Sequence, residues 1–395
     1  MAFYISAFST LENYQAKMQA IVVLLFCLEA LRCLVVNSGI QRLFCIPWYV
    51  FGFCVVVPAL AGVAALFSGN GDSAAYAVVY AVQAVAVYIC IFNHGFEKVS
   101  WAFFISMSAA VLTVYFFEFD ALLLALSIDI IGGSAMARFS PFDGHPNLIG
   151  HVYGAYSAVC IGLLYTKIRV PFLILAIVML VLATVLVFAS SSRGGLVALL
   201  GAAGVLYFGR TIVGAGLSSR FYTFAKFVTV LLAASVLLVV CGWMEYFVEI
   251  LQLEHSARGL DSGLTGRVGG WPVALSIWMS EPMAVFFGFG FRAWNPEVRG
   301  FDIDNSYVTM LFELGVFSAL YVLVGIIYAL RYMISQGESL ARSVGISLSV
   351  FFILEGVVNR QMIAIGNPAS IFYIFLLLAP WCSGTSFRLR PMPSN

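Results

Sequence analysis

The chain has 395 residues, 62% of them hydrophobic and 10% charged, with 20 Lys and Arg against 19 Asp and Glu for a formal net charge of +1. A soluble domain carries about 25% charged residues, so a mean hydropathy of +1.00 excludes that class. A balanced charge gives no reason to invoke nucleic acid. The expectation is an all-α, polytopic transmembrane helix bundle forming a single integral membrane domain over residues 1–395.

An apolar stretch of roughly 20 residues crosses the hydrocarbon core as a helix. Read along the chain, about eleven such stretches fall near 17–36, 44–67, 74–92, 100–118, 147–166, 170–190, 194–209, 223–243, 305–329, 343–359 and 369–383. A further or half-spanning helix near residues 1–16 would make twelve and reverse the topology. The first stretch follows a lead without a basic region or a small-residue cleavage site and reads as a retained span.

The basic residues divide into two sets. One holds Arg32, Arg42, Lys98, Lys167, Arg169, Arg210, Arg220, Lys226, Arg331, Arg342, Arg388 and Arg390, and the positive-inside rule makes it cytoplasmic. The other holds Lys17, Arg138, Arg193, Arg258, Arg267, Arg292, Arg299 and Arg360, nearly all arginine. Two long connections lie on that outer side. The shorter, 119–146, opens with the apolar ALLLALSIDII, too short to span and expected at the interface. The larger, 244–304, contains VGGWPVALSIWMSEP, where Trp271 and Trp278 share a face of an interfacial helix that Pro282 ends. Gly288 and Gly290 in the following FGFGF permit a tight turn or close packing on the bundle.

The eight cysteines lie in or beside apolar spans, with no CxxC and no Cys/His cluster at zinc spacing. Neither a disulfide framework nor a structural metal is expected from that pattern. There is no Walker loop, nucleotide fingerprint or DxD-like acidic pair, so no cofactor is indicated.

The hairpin SSSRGG joins two apolar runs with almost no loop. Arg193 there fits a snorkelling helix-end residue, and it equally fits an anion ligand, because hydroxyls and new helix N-terminal amides lie beside its guanidinium. Past the large loop, Ser306, Thr309 and Glu313 form one polar stripe descending from Asp304 into a span. Glu313 would be costly there without a cavity or a partner, and pairing with an arginine satisfies it as well as catalysis does. Asn147 and His151, four apart, and Glu355 and Asn359, four apart beside Arg360, fit interhelical hydrogen bonds as readily as a polar cavity wall. Glu29 and Arg32, three apart, read as a structural intrahelical pair.

SSSRGGLVALL, then GRVGGWPVAL and FGFGF in a large outer loop, then DNSYVTMLFELGVFSAL, with FDGHPNLIG upstream, together resemble the O-antigen polymerase and O-antigen ligase superfamily over roughly residues 140–330. The resemblance implies a GT-C-like, metal-independent glycosyltransferase of a bacterial inner membrane, working on the periplasmic side with an undecaprenyl-pyrophosphate-linked glycan donor, a glycan acceptor, membrane lipid, and room for a chain-length regulator. Arg193 and Arg267 match its arginine positions and would clamp the pyrophosphate, with Arg292, Arg360, Asn147 and Asn305 as further substrate-binding residues. Asp304 is the candidate catalytic base and Glu313 the reserve. The chain has Asp304 before Asn305 where the ligases have His, which points to a polymerase; a ligase and a transporter of lipid-linked or anionic solutes are the alternatives.

Overall fold

The computed structural model describes residues 1–8, 15–36, 46–126, 138–212, 270–293, 303–337 and 339–382, and no strand occurs among them. In chain order the helices are α1 (Ala2–Ala7), α2 (Gln15–Val36), α3 (Trp48–Phe67), α4 (Gly71–Phe117), α5 (Phe119–Leu126), α6 (Pro146–Leu164), α7 (Val170–Ala189), α8 (Arg193–Ile212), α9 (Gly270–Ser280), α10 (Pro282–Phe287), α11 (Ser306–Ser335), α12 (Leu340–Glu355) and α13 (Pro368–Cys382). Six of them, α2, α3, α4, α6, α7 and α11, are long and apolar enough to cross a membrane. The stretch expected at 223–243 lies outside the described residues.

The stretches at 74–92 and 100–118 are joined more tightly than their sequence suggests. They form the two runs of α4, divided at Gly95 with φ 75° and ψ 159°. Unbroken, its 47 residues would reach about 70 Å, more than twice the hydrocarbon thickness. A single glycine in the left-handed region replaces the loop that Lys98 had suggested.

Apolarity and burial run in opposite directions. The most hydropathic of the six, α7, leaves Phe172, Ile174, Ile177, Val178 and Val181 exposed, the surface expected against lipid. The central α6 is less apolar and almost wholly buried, because its glycines and polar side chains meet other helices. A methyl at Gly162 would lie 2.6 Å from the Cα of Val344, so α6 and α12 touch backbone to backbone. From the N-terminal side α1 inserts Phe3 among Phe26, Phe103, Phe372 and Phe375, with ring centroids 5.1 to 6.1 Å apart.

α12 and α13 have 16 and 15 residues, about 24 and 22 Å, short of the roughly 30 Å core. The connection between them, 356–367, is largely buried. Irregular backbone at such depth needs partners from the protein. Gln83 Oε1 accepts from Gly366 N–H (2.8 Å), and Asn367 Oδ1 accepts from the N–H groups of Ala369 and Ser370.

The helix expected around Trp271 and Trp278 is α9, and Pro282 begins α10 after an extended Glu281. Trp278 Nε1 donates to the Ala284 carbonyl at 2.7 Å, folding α9 onto α10. FGFGF then docks on α11 through a second glycine break, Gly315 with φ 73°. That break removes the helical donors from the Phe312 and Glu313 carbonyls, which accept instead from the N–H groups of Phe289 and Gly290, both at 2.9 Å. A methyl at Gly288 would strike the Glu313 carbonyl, and one at Gly315 would strike the Phe286 carbonyl. Each glycine is the space the other's loop needs.

Candidate functional site

Four segments meet at one end of the bundle: 138–151, 190–193, 304–307 and 355–360. Pro146 opens α6 at a position where the missing N–H costs nothing. The His145 ring nitrogen accepts from Asn147 N–H at 3.3 Å. Arg138 binds across the group, its Nε donating to the Ser190 carbonyl (2.8 Å) and its Nη2 to Asn147 Oδ1 (2.9 Å). It ties the entry of α6 to the α7–α8 turn. Sequence reasoning left Arg138 in the outer basic set without a role, and its only signal was its nearness to FDGHPN.

In the turn, Ser190 is buried with its hydroxyl on the Val187 carbonyl, and Ser191 takes φ 52°. Arg193 is the first residue of α8 and partly exposed. Ser192 sits against Gly150 of α6, and Gly194 packs directly on Val358, which sets Arg193 beside the turn that carries Asn359 and Arg360.

The two four-residue pairs interlock. His151 Nδ1 lies 2.7 Å from Glu355 Oε2, with side chains 0% and 2% exposed. Asn359 Nδ2 donates to Glu355 Oε1 at 2.7 Å and to the Asn147 carbonyl at 3.3 Å. His151 Nε2 is buried with no partner in the protein.

Arg360 lies 3.8 Å from Asp304, both side chains 17% exposed. The next residue, Asn305, is the N-cap of α11: its Oδ1 accepts from the N–H groups of Tyr307 (2.9 Å) and Val308 (3.0 Å) while its Nδ2 donates to the Val357 carbonyl (2.9 Å). Ser306 donates to the Asn359 carbonyl. The polar stripe of Ser306, Thr309 and Glu313 is thus buried, and each of the three side chains meets a backbone group.

Glu313 and Arg292 belong to another cluster. Glu313 Oε1 accepts from the backbone N–H of Arg292 at 2.7 Å. Arg292 thus supplies its main chain to this carboxylate oxygen. The Arg292 guanidinium itself reaches Tyr76, donating to its hydroxyl and lying 4.6 Å from the ring centroid. Together with Ser73, which donates to the Phe291 carbonyl, these contacts fasten FGFGF to α4. Arg267 lies outside the described residues.

The site therefore gathers Asn147, Arg193, Asp304, Asn305 and Arg360, around guanidinium groups and fresh helix N-termini suited to phosphate-like oxygens. Fold and site together define an integral, membrane-embedded helical protein with a polar, arginine-bearing bundle end. Comparison of the chain with protein-family models and with curated proteins finds no match in either.

Proposed function

We propose that this chain is a membrane polysaccharide polymerase that joins oligosaccharide repeat units carried on polyprenyl pyrophosphate. The convergence of the SSSR turn, Asp304, Asn305 and Arg360 at one bundle end carries this reading. All but Arg360 come from motifs far apart in sequence, SSSRGG and DNSY, that resemble the O-antigen polymerase and ligase superfamily, the DNSY form being more like the polymerases. On this reading the bundle has about eleven spans in a GT-C-like arrangement, and the arginine-bearing end faces the periplasm by the positive-inside rule.

An acceptor hydroxyl oxygen forms a bond to the donor's anomeric carbon as the bond from that carbon to the pyrophosphate oxygen breaks. Arg193 and Arg360, with Arg267, neutralise the charge growing on the departing polyprenyl pyrophosphate. Asp304 takes the hydroxyl proton.

The test is the profile of surface and lipid-linked glycans from a deletion strain complemented with this chain or with Arg193→Ala. Long chains with the wild type and single repeat units with the variant are expected. Long chains stranded on the lipid carrier in the uncomplemented strain would make the protein a ligase, and an unchanged profile would sink the enzyme reading.

A further inference from the structure

At the opposite end of the bundle, α2 and the first run of α4 bring together three donor atoms that the site above does not use. Glu29 Oε1 lies 2.8 Å from His94 Nε2. Cys33 Sγ is 3.4 Å from that nitrogen and 3.6 Å from that oxygen. Among the described residues this is a set of three ligand atoms within 4.8 Å of one another.

We propose that Glu29, Cys33 and His94 form a binding site for a divalent transition metal of the zinc class, with water as fourth ligand. Four-coordinate zinc with bonds of about 2.3 Å to sulfur and 2.0–2.2 Å to nitrogen and oxygen holds its ligands roughly 3.3–3.6 Å apart. The sulfur-to-nitrogen and sulfur-to-oxygen separations of 3.4 and 3.6 Å already fall in that range. The nitrogen and oxygen, 2.8 Å apart in a hydrogen bond, need to open by about half an ångström when the metal replaces the shared proton.

The backbone prepares the site. Glu29 and Cys33 are four apart and share one face of α2, the spacing by which a helix presents two ligands. His94 is the last residue before the Gly95 break. Cys33 is buried behind the other two, while Glu29 and His94 stay 36% and 33% exposed, so the fourth position opens to solvent. Arg32 Nε holds Glu29 Oε2 at 2.8 Å and serves as the outer partner that fixes a carboxylate ligand. Its Nη2 also reaches Oε1, which has a second lone pair for the metal. Mixed thiolate, imidazole and carboxylate donors favour zinc over magnesium or calcium. On binding, the Cys33 proton leaves to solvent and the thiolate takes its place on the metal.

The full chain in detergent would be titrated with Co2+ as an optical probe and then with Zn2+. Wild type is expected to bind one Co2+, with a thiolate-to-cobalt charge-transfer band and the visible bands of a four-coordinate ion, and Zn2+ should displace it. Cys33→Ser should abolish the charge-transfer band and His94→Ala should weaken binding tenfold or more, while both keep the wild-type gel-filtration profile. His94→Cys, which puts a second thiolate in place of the imidazole, should bind with a stronger charge-transfer band. A wild type without the band, or a Cys33→Ser variant that keeps it, would overturn the site and leave a hydrogen-bonded triad. Since no step depends on the polymerase reading, glycan phenotype has no bearing on the outcome.

Discussion

Nδ1 of His151 on α6 and Oε2 of Glu355 on α12 stand 2.7 Å apart in a place water does not reach. Removing one partner of such a pair strands the other in a low-dielectric interior. Glu355→Ala should lower stability by about 3 kcal/mol in reversible unfolding in detergent, and Glu355→Gln, which keeps a hydrogen bond, by about 1–2 kcal/mol. Equal losses for the two variants would show that the carboxylate itself, not side-chain volume or a neutral hydrogen bond, is what the link between α6 and α12 depends on.

The second prediction concerns the paired glycines. Gly288→Ala and Gly315→Ala each add a methyl where the opposing carbonyl stands and where φ is positive. Either should cost about 1–3 kcal/mol and expose FGFGF to limited proteolysis. The double variant should cost little more than the worse single one, because one undocking relieves both clashes. Full additivity would separate the two glycines.

Asn305 can be divided into cap and substrate contact. Asn305→Ala should destabilise by about 1 kcal/mol through loss of the acceptor for Tyr307 and Val308. Asn305→Asp keeps that acceptor but loses the donor to the Val357 carbonyl, so it too should be destabilised by about 1–3 kcal/mol, and glycan length should follow stability. If Asn305→Asp lost glycan elongation while Asn305→Ala, no more stable, kept it, the side-chain amide would not be acting through stability alone.

Arg360 and Asp304 should behave as a unit in glycan synthesis. Arg360→Ala alone and Arg360→Ala with Asp304→Ala should reduce elongation to within about threefold of each other, as residues acting together are non-additive. Arg193→Lys should be nearly as damaging as Arg193→Ala, since an ammonium lacks the guanidinium fork. Multiplicative losses from Asp304 and Arg360 would show that base and leaving-group stabilisation act independently and that the ion pair does not couple them.

Much of this was legible in the sequence because membrane spans announce themselves by composition and helices by spacing. Asn147 with His151 and Glu355 with Asn359 could be placed on single faces from their four-residue intervals alone. That the two faces meet depends on the close approach of α6 and α12 at Gly162, which no spacing reports. Glu313 was visible as a buried acid. The contact from the Arg292 backbone was not, because a backbone N–H leaves no mark on a charge pattern. The donors Glu29, Cys33 and His94 escaped for a related reason: the last lies 61 residues beyond the cysteine, on another helix, whereas zinc spacings are read within short segments. The break at Gly95 was hidden because a polar loop and a lone left-handed glycine interrupt an apolar run alike.

The seat of Phe3 beside Phe372 bears on the order of assembly. These rings, 6.1 Å apart, are separated by about 370 positions of chain. At ribosomal speeds their emergence is separated by on the order of tens of seconds. Throughout that interval α1 lacks the aromatic wall that α13 supplies, and the centre of the bundle stays open. α13 is therefore a keystone for residues made long before it, and a premature stop ahead of α13 should unsettle α1 more than the lipid-facing α7.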